Sequence, residues 1–152
     1  MDYIKEIRPL VGHRKIILNA AGAIITREGD DKILFQRRSD NGNWSLVGGL
    51  MEIGETYAQT ALREIREETG LEVRLDYLVG VYHNFNAEWP NGDAGHVVNA
   101  VYKATILSGE PRIDEESLEL RFFAPDELPF VPSQDYQEAI RDYFKGVQNR
   151  VL

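Results

Sequence analysis

Three glutamates, Glu64, Glu67 and Glu68, stand close together in a chain with no cysteine and only three histidines. At about 100° per residue a helix gathers them into a sector of roughly 100°, with Gln59, Arg63 and Arg66 on the other flank. A helix that needed only solubility would set Lys or Arg four residues after Glu64. Glu68 stands there instead, a like-charge pair that costs about a few tenths of a kcal/mol. Glu67 and Glu68 also fall in the last turn, where the helix dipole favours cations. Breaches of two local preferences at one place tend to mark a functional site. A hard divalent cation would compensate for both, because Mg²⁺ takes carboxylate oxygens together with waters and substrate phosphates. A merely solvated acidic face is the competing reading.

The segment that must present these groups has both of its ends specified. Ala58, Ala61, Leu62, Ile65 and Thr69 recur at the spacing of one core-facing helical stripe. Thr56 with Gln59 makes a capping box, and Gly70 followed by Leu71 provides a left-handed stop. Upstream, Gly48 and Gly49 let the backbone approach a ligand closely, since no Cβ stands in the way.

Gly49, Glu55, Arg63-Glu64-Ile65, Glu67-Glu68 and Gly70-Leu71 match, at every specified position over residues 49–71, the signature box of the Nudix hydrolases, and the chain resembles that family. The resemblance implies an α/β (α+β) fold, an α/β/α sandwich with a mixed β-sheet. It implies an enzyme, a pyrophosphohydrolase in which water attacks a phosphoanhydride of a nucleoside diphosphate derivative or a nucleoside triphosphate, with Mg²⁺ or Mn²⁺ as cofactor. Glu64, Glu67 and Glu68 match the family's metal-binding glutamates, and the backbone carbonyl carried over to the metal shell is that of Gly48. Arg63 belongs to the same catalytic set and reads, with Glu55, as a pair that fixes the loop to the helix. Val47 stands where the family commonly has proline, which removes a rigid φ constraint from this loop.

Other assignments are less specific. Glu119 is the candidate for an outer glutamate near the metals, in competition with Glu115 and Glu116. Tyr82, Phe85 and Trp89 can stack on a base, as aromatic faces do in nucleotide sites, with core packing as the alternative. His13, His83 and His96 share no ligand spacing and read as surface or core residues. ADP-sugar hydrolases of the family often carry a proline about fifteen residues past the box, where this chain has Asn86-Ala87, with Pro90 slightly later. Coenzyme A and diadenosine polyphosphate signatures are not evident. The substrate class therefore stays between a nucleoside triphosphate and a nucleoside diphosphate derivative, with ADP-ribose or another NDP-sugar as one alternative. A catalytically idle nucleotide-sensing module is the alternative from another class.

Composition narrows the remaining classes. A net charge of -8 argues against binding a nucleic-acid polymer, yet it is compatible with phosphates bound through a metal. With 152 residues and 43% hydrophobic content, residues 1–152 are expected to form one Nudix domain. Residues 1–15 are expected to be an N-terminal extension in which Tyr3 to Gly12 is a short helical turn, interrupted by Pro9, packed outside the domain or at a homodimer contact. No stretch resembles a signal peptide or a membrane span, which fits a cytoplasmic protein. Strands are expected over 16–26, 32–38 (as its hairpin partner), 44–47, one or two within 72–85, 96–107 and 118–124, with a closing helix over 135–144.

Overall fold

A computed structural model describes residues 2–151 of the chain. Met1 and Leu152, the ends of the expected domain, lie outside them. The framework is built on β1 (Ile16–Thr26), whose β-branched and small residues are buried without interruption from Ala20 onward. Such a run suits a strand covered on both faces. It pairs in parallel with β6 (Ala94–Ser108) and antiparallel with β4 (Val47–Leu50). The long strand β5 (Glu72–Glu88) adds antiparallel to β6, and β8 (Arg150–Val151) adds parallel to β5. The result is a mixed five-stranded sheet in the order β4-β1-β6-β5-β8.

Alternation along β1 decides what each face carries. Ala21 meets Ala61 and Ala100 under α2 (Tyr57–Thr69), where small side chains let the helix lie close to the sheet, and Ala23 and Ile25 pack with Ile65. On the other face, Ile24 and Val101 pack with Tyr136 and Ala139 of α3 (Gln134–Phe144). This is the α/β/α sandwich with a mixed sheet that the resemblance implied. A second, antiparallel sheet, β3 (Trp44–Ser45), β2 (Ile33–Arg38) and β7 (Ser117–Phe123), lies beside the first.

Several expectations need correction. β2 is not the hairpin partner of β1, because both edges of β1 are occupied by β4 and β6. The single strand expected over 44–47 is two strands in different sheets, joined at Leu46. β8 was not foreseen; a two-residue exposed strand carries no period to read. Pro9 does not interrupt the N-terminal segment: α1 (Tyr3–Val11) runs through it. The proline sits in the last turn, where its missing N–H forfeits a single helical bond.

Candidate active site

Local chemistry fixes α2 before any packing is considered. Gln59 N–H donates to Thr56 Oγ1 at 3.1 Å and Thr56 N–H donates to Gln59 Oε1 at 2.9 Å, and Gly70 ends the helix at φ 74°. The preceding loop is tied down by Glu55 and Arg63. Glu55 Oε1 accepts from the Glu52 N–H at 2.9 Å and from the Thr60 hydroxyl at 3.1 Å. Its carboxylate also accepts from Arg63 Nε at 2.6 Å and Nη2 at 2.9 Å. The guanidinium hydrogen bonds push the Glu55 carboxyl down to about 2. Arg63 also donates to the Leu50 carbonyl at 3.0 Å and to Glu64 at 2.8 Å, so one side chain joins β4, the loop and the helix. A forked guanidinium suits that task as a lysine would not.

At the centre lie Glu64, Glu68 and Glu116, each offering a carboxylate oxygen within 4.8 Å of the others. Glu68 is 3% exposed and its Oε2 has no hydrogen-bond partner. Burial pushes its carboxyl well up, and the charges of Glu64 and Glu116 add to the effect. Burial likewise raises Glu64, partly offset by Arg63. Gly49 leaves this carboxylate its place, since a Cβ there would stand 2.6 Å from both Glu64 carboxylate oxygens and displace them. A buried oxygen without a donor, among hard acidic ligands, fits a divalent cation. Glu67 stands outside this group, 58% exposed at the rim and 3.3 Å from Arg63 Nη1. Gly48 is buried opposite Gly22, and a Cβ on it would lie 2.5 Å from the Ala21 carbonyl oxygen and the Tyr136 hydroxyl.

The carboxylates open into a cleft of about 980 Å³. Its lining includes groups that the sequence reading missed. Asn99, 2% exposed, donates from Nδ2 to Asp135 Oδ2 at 2.9 Å, and Tyr136 N–H donates to Asp135 Oδ1 at 3.0 Å. Asn99 Oδ1 has no partner, and burial pushes the Asp135 carboxyl up. Arg38 is held by Asp40 through bonds of 3.0 and 2.8 Å. An asparagine inside an apolar stretch, Val97-Val98-Asn99-Ala100-Val101, was the available signal for the first of these.

The remaining sequence candidates separate. Trp89 lines the cleft. Tyr82 does not: it is fully buried, packs against α3, and donates to Asp142 Oδ2 at 2.7 Å, so it cannot stack on a base. Phe85 lies parallel to His83 at 5.3 Å, outside the cleft lining. Glu119 is also absent from that lining; Arg121 Nε holds its carboxylate at 2.7 Å. Glu116 takes the inward place, and Ser39 fixes its loop by donating from N–H to the Glu116 carbonyl at 3.0 Å and from Oγ to the Glu115 carbonyl at 3.0 Å. His13 pairs with Asp93 at 2.7 Å, while His83 Nδ1 and His96 Nε2 stand 2.8 Å apart.

A NUDIX domain model matches residues 17–144, and the chain belongs to the Nudix family. It is a pyrophosphohydrolase, an enzyme of a family that generally works with a divalent metal on small molecules derived from nucleotides. The ADP-ribose pyrophosphatase of Methanocaldococcus jannaschii is 36% identical over 122 residues, 78% of this chain and 69% of that protein. Among solved structures, a MutT Nudix hydrolase from Burkholderia pseudomallei superposes with a TM-score of 0.71 at 33% identity, over 83% of this chain and 97% of that one. A UDP-X diphosphatase covers the whole of this chain and 75% of its own, with a TM-score of 0.73 at 24% identity, and bears on the fold alone. Among the described residues no helix is long and apolar enough to cross a membrane.

Proposed function

We propose that the cleft hydrolyses the pyrophosphate of a nucleoside diphosphate joined to a second group, with ADP-ribose as the first member to test and Mg²⁺ or Mn²⁺ as the cofactor. The observation that carries this reading is the buried carboxylate of Glu68, whose Oε2 has no partner, between Glu64 and Glu116 on the wall of a cleft of about 980 Å³. That volume lies at the upper end of the range for small-molecule sites, roughly 300–1,000 Å³, and suits a two-part ligand. The ADP-ribose pyrophosphatase relative supports the same choice.

Glu64, Glu68 and Glu116 would hold the ion, with Glu67 at the rim as a further carboxylate on the same helix. A divalent ion there supplies Lewis-acid polarisation of phosphoryl oxygens and neutralises the charge that develops on them. Arg63 orients Glu64 while Glu55 holds Arg63, so the carboxylates are placed in advance of the substrate. The Asn99–Asp135 pair gives the same cleft further hydrogen-bonding groups for the rest of the ligand.

The test is a panel of nucleoside diphosphate sugars, dinucleotides and nucleoside triphosphates, each with Mg²⁺, with Mn²⁺ and with chelator. The expected result is metal-dependent cleavage of an NDP-sugar, with label from heavy-oxygen water appearing on a phosphate-containing product. Cleavage of triphosphates alone would refute the substrate class. Binding with no cleavage of anything would make the site a sensor.

A further inference from the structure

The helix α1 has no buried residue, contains a proline and is nine residues long. An isolated helix of that length is marginal in water, so it is held by what it touches. The family match begins at residue 17, which leaves α1 outside it. Yet the helix is fastened at both ends to parts of the cleft. At its start the Tyr3 N–H donates to Glu52 Oε2 at 2.8 Å, on the loop that leads into α2. At its far end Arg8, with only 12% of its side chain exposed, donates from Nη2 to the Ala94 carbonyl at 2.8 Å and lies 3.4 Å from Asp93, on the β5–β6 turn. Arg8 Nη1 also donates to the Arg14 carbonyl at 2.8 Å, which closes the chain back toward β1.

Between the two fastenings α1 faces the cleft. Ile4, and Asp2 just before the helix, are part of its lining, beside Leu50, Ala87, Trp89 and Val97. Ile4, Leu50, Ala87 and Trp89 all pack against the buried Leu18–Ala20–Val97 cluster, which gives this part of the cleft an apolar floor beside the polar Asn84 and Asn86, where the carboxylate part is charged. We propose that α1 is a specificity-determining wall of the substrate cleft. With Trp89 it bounds the subsite that takes the planar, apolar part of the ligand, the nucleobase, away from the reacting phosphate. The helix acts on substrate choice and leaves bond cleavage alone. This rests on the cleft being the substrate site, as proposed above.

The wall is removed or narrowed without touching the carboxylates. Arg8→Ala releases the far end of α1, which loss of hydrogen-exchange protection over Tyr3–Val11 would register. Ile4→Trp keeps both fastenings and fills the apolar end. The parent's best substrate from the nucleotide panel is the probe, so failure of the parent on every nucleotide counts against the function, and the variants test α1. With that substrate Arg8→Ala should raise KM about tenfold with kcat within about twofold, the pattern of lost uniform binding. Preference between purine and pyrimidine forms of the same compound should narrow. Ile4→Trp should raise KM more for the purine form than for the pyrimidine form. If both variants keep the parent's KM and base preference, or if they lose kcat and leave KM alone, α1 does not bound the substrate.

Discussion

Glu68 and Asp142 are both carboxylates on helices, and each is 3% exposed. Around Asp142 the chain provides for the charge: the Tyr82 hydroxyl donates at 2.7 Å, and Arg150 Nη1 donates to its two oxygens at 2.9 and 3.1 Å. Around Glu68 it does the opposite, placing Glu64 and Glu116 beside it and leaving Oε2 without a donor. A buried carboxylate with its hydrogen bonds made is a structural device, and a buried charge without them is costly. On the proposed reading, Glu68 is the acid whose partner comes from outside the chain.

The sharpest way to break the contrast is to neutralise each acid. Glu68→Gln should lower kcat by at least about 100-fold, because metal-based charge stabilisation is lost, with little change in the fold. Glu116→Gln should cost about tenfold, as the more exposed member of the group. Glu119→Gln should leave kcat unchanged, and steady-state kinetics on the three variants checks the order. A loss at Glu119 equal to that at Glu68 would move the metal site to β7.

Asp142→Ala should give the reverse pattern. It leaves the Tyr82 hydroxyl buried without an acceptor, at a cost of about 2–3 kcal/mol in stability, read from urea unfolding, while activity per folded molecule stays at the parent's level. Glu55 stands between the two cases, since its guanidinium partner also holds Glu64 on α2. Its folded pKa of about 2 lies below the ordinary 4.5, so its contribution is fully present above pH 4.5 and is lost as the pH falls toward 2. Glu55→Gln should therefore cost about 1–2 kcal/mol at pH 7, and the gap to the parent should close below pH 4.5. A gap independent of pH would mean that the ion pair is not its source.

The two acids also differ in how far the sequence discloses them. Glu68 was legible because its neighbours in space, Glu64 and the ends of α2, are neighbours in the chain, and cap residues and an apolar stripe fix a helix locally. Asp142 gave no sign, because its partners lie 60 and 8 residues away on strands whose positions are set by the whole fold. The same holds for Asn99 with Asp135, 36 residues apart, and for Glu116 with Glu68. Between stacking on a base and core packing, the sequence left Tyr82 open for a different reason. β5 carries register shifts at Leu75/Tyr77 and Leu78/Gly80, and each such bulge breaks the alternation from which a side chain's face is read. The β1–β2 hairpin failed because adjacency in sequence says nothing about which edges of a central strand are already taken.

The smallest expected effect bears most directly on what Glu68 is for. In chelator, at a pH high enough to ionise Glu68 against its burial, Glu64, Glu68 and Glu116 repel one another with no cation among them. Glu68 also opposes the dipole at the C-terminal end of α2. Replacing it with glutamine removes one charge and keeps the size of the side chain, so the metal-free Glu68→Gln protein should be more stable than the metal-free parent by about 1 kcal/mol. Mg²⁺ should then act in the opposite sense on the pair. A ligand stabilises in proportion to its binding to the native state, so millimolar Mg²⁺ should raise the parent's Tm more than the variant's. Four thermal melts, each protein with chelator and with Mg²⁺, decide it. If the variant melts below the parent in chelator and both gain equally from Mg²⁺, then Glu68 resembles Asp142 after all, with a partner inside the protein, and the metal must be held by other groups.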